Sequence, residues 1–182
     1  MALYSESEDE KERLEIASNY AASWVKEANI NRGLNIKFWE IGNENYGPWQ
    51  AGYMVEGAQI TGTMYGEIFR VFADSMKAAD PTIHLGAVIY PLDEDYDNWT
   101  AQVLPEVQND ADFLIVHDYF AWSPNENNIS YAEMMASVSE VTEDAASVRA
   151  MVSQYTGKSP DHFALAFTEY NSNTGHREVA MA

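Results

Sequence analysis

Lys37-Phe38-Trp39-Glu40-Ile41-Gly42-Asn43-Glu44-Asn45-Tyr46-Gly47-Pro48-Trp49 is an apolar-rich run that stops at Gly42 and releases an amide and a carboxylate, Asn43 and Glu44, into an aromatic, turn-rich loop. It reads as a buried β-strand with chemistry at its end. Alone, it reads equally well as a strand with a polar turn. A second stretch of the same design, Phe163-Ala164-Leu165-Ala166-Phe167-Thr168-Glu169-Tyr170, also runs apolar and ends in a glutamate.

The elements between them set the fold class. Leu14, Ala17, Ala21, Trp24 and Ala28 recur at helical spacing, with Ser7 and Glu10 at capping-box distance. That helix should end near Asn31-Arg32-Gly33. After the first strand and a long loop over 46–59 comes a helix over 63–79, with Tyr65, Ile68, Phe69, Phe72 and Met76 as its buried stripe. A strand over 83–89, an acidic loop over 92–98 and a helix over 99–107 containing Pro105 follow. The third strand, 113–116, runs into His117-Asp118-Tyr119-Phe120-Ala121-Trp122. A long helix over 131–155, closed by Gly157, precedes the fourth strand over 163–167.

Strands alternating with helices at this spacing imply parallel pairing through right-handed crossovers. No glycine-rich phosphate loop follows any strand; Gly62 and Gly66 fall at a helix start, as packing residues. Acidic, His and aromatic residues cluster instead after strand ends, the face on which barrel enzymes place their chemistry. The chain has 182 residues, against the roughly 250 of a complete eight-fold barrel. The expectation is a single α/β domain over 1–182, a partial (β/α)8 TIM barrel of about half the usual size.

Composition narrows the partners. Ten Lys and Arg stand against 29 Asp and Glu, a formal net charge of −19. Nucleic acid and anionic membranes, which need clustered basic residues, are therefore not expected; a neutral ligand is. The absence of Cys removes disulfides, thiol nucleophiles and thiolate metal sites. No apolar run reaches the roughly 20 residues of a membrane span. Nothing at the acidic N-terminus has an export pattern, and the compartment, extracellular or bacterial cytoplasmic, stays open.

Strand parity suggests where chemistry gathers. Phe38, Glu40, Gly42 and Glu44 would share one face of the first strand, Ile115, His117 and Tyr119 one face of the third, and Phe163, Leu165, Phe167 and Glu169 one face of the last. If those faces look inward, two glutamates, a histidine and a tyrosine meet on one rim. A pair of carboxylates across a sugar ring, one protonated and one ionised, is the minimum for breaking a glycosidic bond.

Trp39-Glu40-Ile41-Gly42-Asn43-Glu44-Asn45-Tyr46-Gly47 resembles the fourth-strand motif of the clan A retaining glycoside hydrolases, most of all the α-L-arabinofuranosidases of glycoside hydrolase family 51. Thr168-Glu169-Tyr170-Asn171 and His117-Asp118-Tyr119 resemble the seventh- and sixth-strand ends of that clan, in the same order. The resemblance implies Glu44 as general acid/base, Glu169 as nucleophile, Asn43 on the hydroxyl beside the anomeric carbon, and His117 and Tyr119 as supporting groups. It also implies carboxyl groups about 5–5.5 Å apart. Trp49 and Trp122 are candidate sugar-stacking walls, with loop anchoring as the equal alternative. His84, His162 and His176 read as ordinary loop or strand-edge residues. The acidic cluster Glu94, Asp95 and Asp97 lacks calcium-loop spacing, and no metal or cofactor is demanded.

Counterparts of strands one to three and eight are absent from the resemblance. Glu40 would then face inward without a basic partner on the four strands. Outer strands would stand unpaired, so a missing barrel half or self-association is expected. The expected function is retaining hydrolysis of plant or algal polysaccharides or oligosaccharides, arabinofuranosides first. The alternatives are another clan A specificity (agarase, xylosidase or endoglucanase) and a non-catalytic carbohydrate-binding or assembly half-barrel.

Overall fold

The structure, a computed structural model, describes residues 9–55, 57–121 and 130–172. Four parallel strands alternate with helices as half of a barrel, in the order β1 (Phe38–Ile41), β4 (His84–Val88), β5 (Phe113–Phe120), β6 (Ala164–Ser172). A short antiparallel hairpin, β2 (Met54–Val55) with β3 (Ala58–Gln59), lies in the long loop after β1 and was not expected from the sequence.

Helix α1 (Glu10–Val25) begins at Asp9, whose carboxylate accepts the Glu12 N–H at 3.0 Å. Ser7, the expected cap, lies outside the described residues. Ala17, Ser18, Ala21 and Val25 are buried, whereas Trp24 is 66% exposed. Ala17 and Ala21 lie on the buried stripe as expected, with Val25 in the place expected of Trp24, and these small side chains allow a close approach to α2 (Gly62–Ala79). That helix is capped by the Thr61 hydroxyl and buries Tyr65, Phe69, Phe72, Ala73 and Met76. Gly62 and Gly66 face α3 (Asp95–Val107): a Cβ on Gly62 would lie 2.5 Å from the Trp99 carbonyl, and one on Gly66 2.3 Å from the Glu106 Cβ. Both glycines are packing residues, as expected. The long helix over 131–155 is in fact α4 (Tyr131–Ala136), a single 3-10 turn at Ser137–Ser139, and α5 (Glu140–Thr156), with Gly157 closing it in the left-handed conformation.

Register fixes the faces of the sheet. Leu85, Ala87, Leu114 and Val116, each 0% exposed, pack toward the helices together with Ile41. The opposite face carries Phe38 and Glu40 on β1, Gly86 and Val88 on β4, and Phe113 and Ile115 on β5. A Cβ on Gly86 would lie 2.2 Å from the Phe113 ring, so glycine is what lets that ring lie across the strand. β1 is an edge strand and not the buried strand its composition suggests: Phe38 is 69% exposed, and Glu40 is exposed too. With half a barrel this face opens to water, and Glu40 is solvated there. The expected buried-charge problem at Glu40 does not arise.

Candidate active site

Glu44 owes its position to a turn, not to strand parity. β1 ends at Ile41, where the Tyr65 hydroxyl donates to the Ile41 carbonyl at 2.6 Å and accepts the Val88 N–H at 2.8 Å. Gly42 then takes φ 99°, a left-handed backbone that side chains resist, and Glu44 takes φ 43°. Asn45, 5% exposed, folds its amide oxygen back onto the Asn43 N–H at 3.0 Å. A Cβ on Gly42 would lie 2.2 Å from that oxygen. The turn lifts Glu44 over the end of the sheet while Asn43 stays exposed beside it.

On the other side, β5 and β6 keep register from Phe113↔Ala164 to Val116↔Phe167, and then His117 pairs with Glu169. The β-bulge passes over Thr168. Glu169 therefore shares the face of Ala164, Ala166 and His117. Its expected kinship with Leu165 and Phe167, which pack toward the helices, is overturned. An unbulged strand would have turned Glu169 toward the helices, because side chains alternate.

These two devices bring opposite edges of the sheet together. Four flat strands would separate β1 from β6 by about 14 Å. Instead, one ligand atom each from Glu44, His117 and Glu169 all lie within 4.8 Å of one another. His117 Nδ1 is 3.0 Å from Glu44 Oε1 and 3.6 Å from Glu169 Oε2. Facing two carboxylates, Nδ1 carries its proton and donates. The Tyr119 hydroxyl donates to Glu169 Oε2 at 2.6 Å. Trp49 Nε1–H and, at 3.4 Å, the Gln50 amide donate to Glu44 Oε2.

The two carboxylates have different surroundings. The Glu44 side chain is 13% exposed and that of Glu169 40%. Burial pushes the Glu44 carboxyl up, but hydrogen bonds from Trp49, His117 and Gln50 outweigh it and hold the group below the usual carboxylate range. The hydrogen bond to Glu169, with burial and the charges of both glutamates, pushes the Tyr119 hydroxyl up to about 12. Two unit charges no more than 4.8 Å apart repel by at least roughly 1–3.5 kcal/mol in surroundings between water and a protein surface; His117 donates into that gap.

Sequence reasoning placed Glu44, Glu169, His117 and Tyr119 at one rim, where they are. Trp49 is 57% exposed and bonded through its indole N–H to Glu44. Trp122 lies outside the described residues, as does His176. The sequence reading missed Gln50 and the aromatic floor beneath Glu44. Tyr46, 3% exposed, has its ring centroid 5.0 Å from Tyr90 and 4.8 Å from Tyr96. Tyr96 reaches this floor from a run of left-handed residues, Tyr96, Asp97 and Asn98, in the stretch expected to be an acidic loop. The density of tyrosines after strand ends was the signal available.

No protein-family model matches the chain. It is 29% identical over 166 residues to an intracellular exo-α-(1→5)-L-arabinofuranosidase of Acetivibrio thermocellus, covering 87% of this chain and 31% of that protein. The corresponding enzyme of Halalkalibacterium halodurans is 28% identical over 91% of this chain and 34% of its own length. The chain thus spans about a third of the curated relatives it matches. Among solved structures, the family 51 α-L-arabinofuranosidase of Thermotoga petrophila superposes with a TM-score of 0.66 at 26% identity, over 85% of this chain and 32% of that one. The α-L-arabinofuranosidase of Thermotoga maritima in its arabinose complex gives 0.64 at 26% identity, with the same coverages. In sequence and in fold alike, the chain resembles part of the barrel of the family 51 α-L-arabinofuranosidases.

Proposed function

We propose that these residues form the reacting centre of a retaining α-L-arabinofuranosidase, with Glu169 as nucleophile and Glu44 as general acid/base. The observation that carries the reading is the approach of the two carboxylates, one from each edge of the half-barrel, within 4.8 Å across His117. That separation supports direct attack by a carboxylate; a water-mediated inverting mechanism needs about 6.5–9.5 Å. Glu169 Oε2, held by Tyr119, attacks the anomeric carbon as the glycosidic C–O bond breaks, and the Glu44 proton passes to the leaving oxygen. In the second step Glu44 takes a proton from water, whose oxygen attacks the same carbon and releases Glu169. Both carboxyl groups end as they began. Asn43, exposed at the rim, hydrogen-bonds the neighbouring sugar hydroxyl, and Trp49 borders the sugar.

Glu44 must carry a proton in the first step, and its donors work against that. A bound sugar both desolvates Glu44 and competes for the Trp49 and Gln50 donors, and each change raises the carboxyl. A barrel half on the open face of β1 supplies the remaining walls of the sugar pocket and covers Phe38. The lowered carboxyl favours a second reading, a half-barrel that binds sugar without turning it over.

Activity on aryl α-L-arabinofuranosides separates the two. Glu169→Gln should lose turnover by roughly four orders of magnitude while retaining arabinose binding. With azide, Glu169→Ala should yield the inverted glycosyl azide and Glu44→Ala the retained one. Wild-type binding without turnover would favour the binding reading. Unchanged turnover in Glu169→Gln would end the assignment.

A further inference from the structure

We propose that the Glu44–His117–Glu169 cluster is also a binding site for a divalent transition-metal ion of the zinc class, which would inhibit the chemistry proposed above. The ligand set is one imidazole nitrogen and two carboxylate oxygens, with separations of 3.0 and 3.6 Å from Nδ1 and all three within 4.8 Å. Around a tetrahedral ion with bonds of about 2.0–2.2 Å, neighbouring ligand atoms stand about 3.4 Å apart. Small side-chain rotations therefore bring all three atoms onto one ion.

Three further features favour the ion. Both carboxylates already accept hydrogen bonds from outside the cluster, Glu169 from Tyr119 and Glu44 from Trp49 and Gln50, which orients their remaining lone pairs. The Glu169 side chain is 40% exposed, so an ion can enter and keep water or a sugar hydroxyl on its open positions. The chain's net charge of −19 raises the local concentration of cations. A nitrogen ligand selects Zn2+, Ni2+ and, most tightly, Cu2+ over Mg2+ and Ca2+. Binding displaces the Nδ1 proton to solvent. The ion then occupies the lone pairs that Glu169 needs for attack and Glu44 needs to hold its proton. Neither hydrolytic step uses the metal.

Binding stands on the geometry alone; inhibition rests on the glycosidase reading. Titration calorimetry of the wild-type chain with zinc chloride at pH 7, in a non-chelating buffer, should show one Zn2+ per chain. Affinity should fall about ten-fold or more in both His117→Ala and Glu169→Gln. Circular dichroism checks that each variant folds, and the partly exposed position of Glu169 makes its variant the safer one. Imidazole 15N spectra should show the Nδ1 resonance that is missing in His117→Ala shifting with zinc. No zinc binding to the wild type, wild-type affinity retained in either variant, or magnesium binding as tight as zinc would overturn the proposal. Zinc binding in a wild type that never turns over leaves the metal site standing and removes the glycosidase reading. Turnover unaffected by saturating zinc overturns the inhibition.

Discussion

Replacing Tyr65 by Phe tests how the Glu44 turn is held. The hydroxyl is inserted between β1 and β4 where the two strands part, donating to the Ile41 carbonyl at 2.6 Å and accepting the Val88 N–H at 2.8 Å. Tyr65 is 2% exposed, and burial is the main cause that pushes its own ionisation far up, so it is neutral at any working pH. Deleting one oxygen leaves a void smaller than a water molecule requires. Both backbone groups then lose their partner in a dry place, at about 1–3 kcal/mol each. Partial closure of the strands recovers some of this, so a net loss of about 2–4 kcal/mol is expected. With a urea slope of about 1–3 kcal/mol/M, the midpoint should fall by about 1–2 M at unchanged slope. Because Ile41 leads directly into Gly42, turnover should also fall at temperatures where the variant is fully folded. A stability within about 0.5 kcal/mol of wild type would refute the reasoning, because the buried carbonyl and N–H must then have found each other without the hydroxyl.

Other perturbations follow from the same geometry. Gly42→Ala meets both a φ of 99° and an Asn45 oxygen 2.2 Å from its new Cβ; about 1–3 kcal/mol of stability should be lost, by urea unfolding, and turnover with it. Tyr119→Phe removes the donor on Glu169 Oε2, and kcat/KM should drop about 10- to 100-fold, as for a hydrogen bond to a charged group. Trp49→Phe leaves burial opposed by fewer donors at Glu44, so the alkaline limb of the kcat/KM profile should move to higher pH; a shift to lower pH would contradict the assignment. At Asp144, burial, then the charges of Asp118, Glu140 and Glu143, raise the carboxyl from 3.8 to about 6. The folded chain therefore binds more protons than the unfolded one between those values, and stability is lost as pH rises through that window. Asp144→Asn should stabilise by about 1 kcal/mol at pH 7.5, after allowance for solvent screening, and by nothing near pH 3.

Much of the fold was legible because the periodicities are strong and unbroken. Tyr65, Phe69, Phe72 and Met76 mark one helix face, and β4 and the first half of β5 are buried enough to read as continuous apolar runs. Trp24 misled because aromatic size does not by itself bring burial; α1 buries Ala17, Ala21 and Val25 and leaves Trp24 in water. The site was legible in its membership but not in its means. Parity assigned Glu44 and Glu169 to inward faces, yet one is placed by a left-handed turn and the other by a bulge at Thr168. Neither device has a one-letter signature, since Glu at positive φ is uncommon and Thr is an ordinary strand residue. The Ile41-Gly42 step was the readable hint, because a glycine at a strand end commonly marks a backbone that no side chain tolerates.

The division between what the chain contains and what it leaves open bears on how the centre works. Among the described residues, the side chains bonded to the Glu44 and Glu169 carboxylates are Trp49 and Gln50, from the loop after β1, and His117 and Tyr119, from β5 itself. Two glutamates held this close must be stabilised before any sugar arrives, and these donors do so from inside the half-barrel. Apolar surface is also open away from the pair: Phe38 beside Glu40 on the open face of β1, and Tyr20, Trp24 and Leu34 in the helix and loop before it. Ordering of the glutamate pair is thus a local property of the sheet ends, whereas exclusion of water, which sharpens every charge interaction there, depends on what covers β1. On the proposed glycosidase reading, covering that edge should raise kcat and leave the carboxylate spacing as it is, because the Gly42 turn and the Thr168 bulge already place both glutamates.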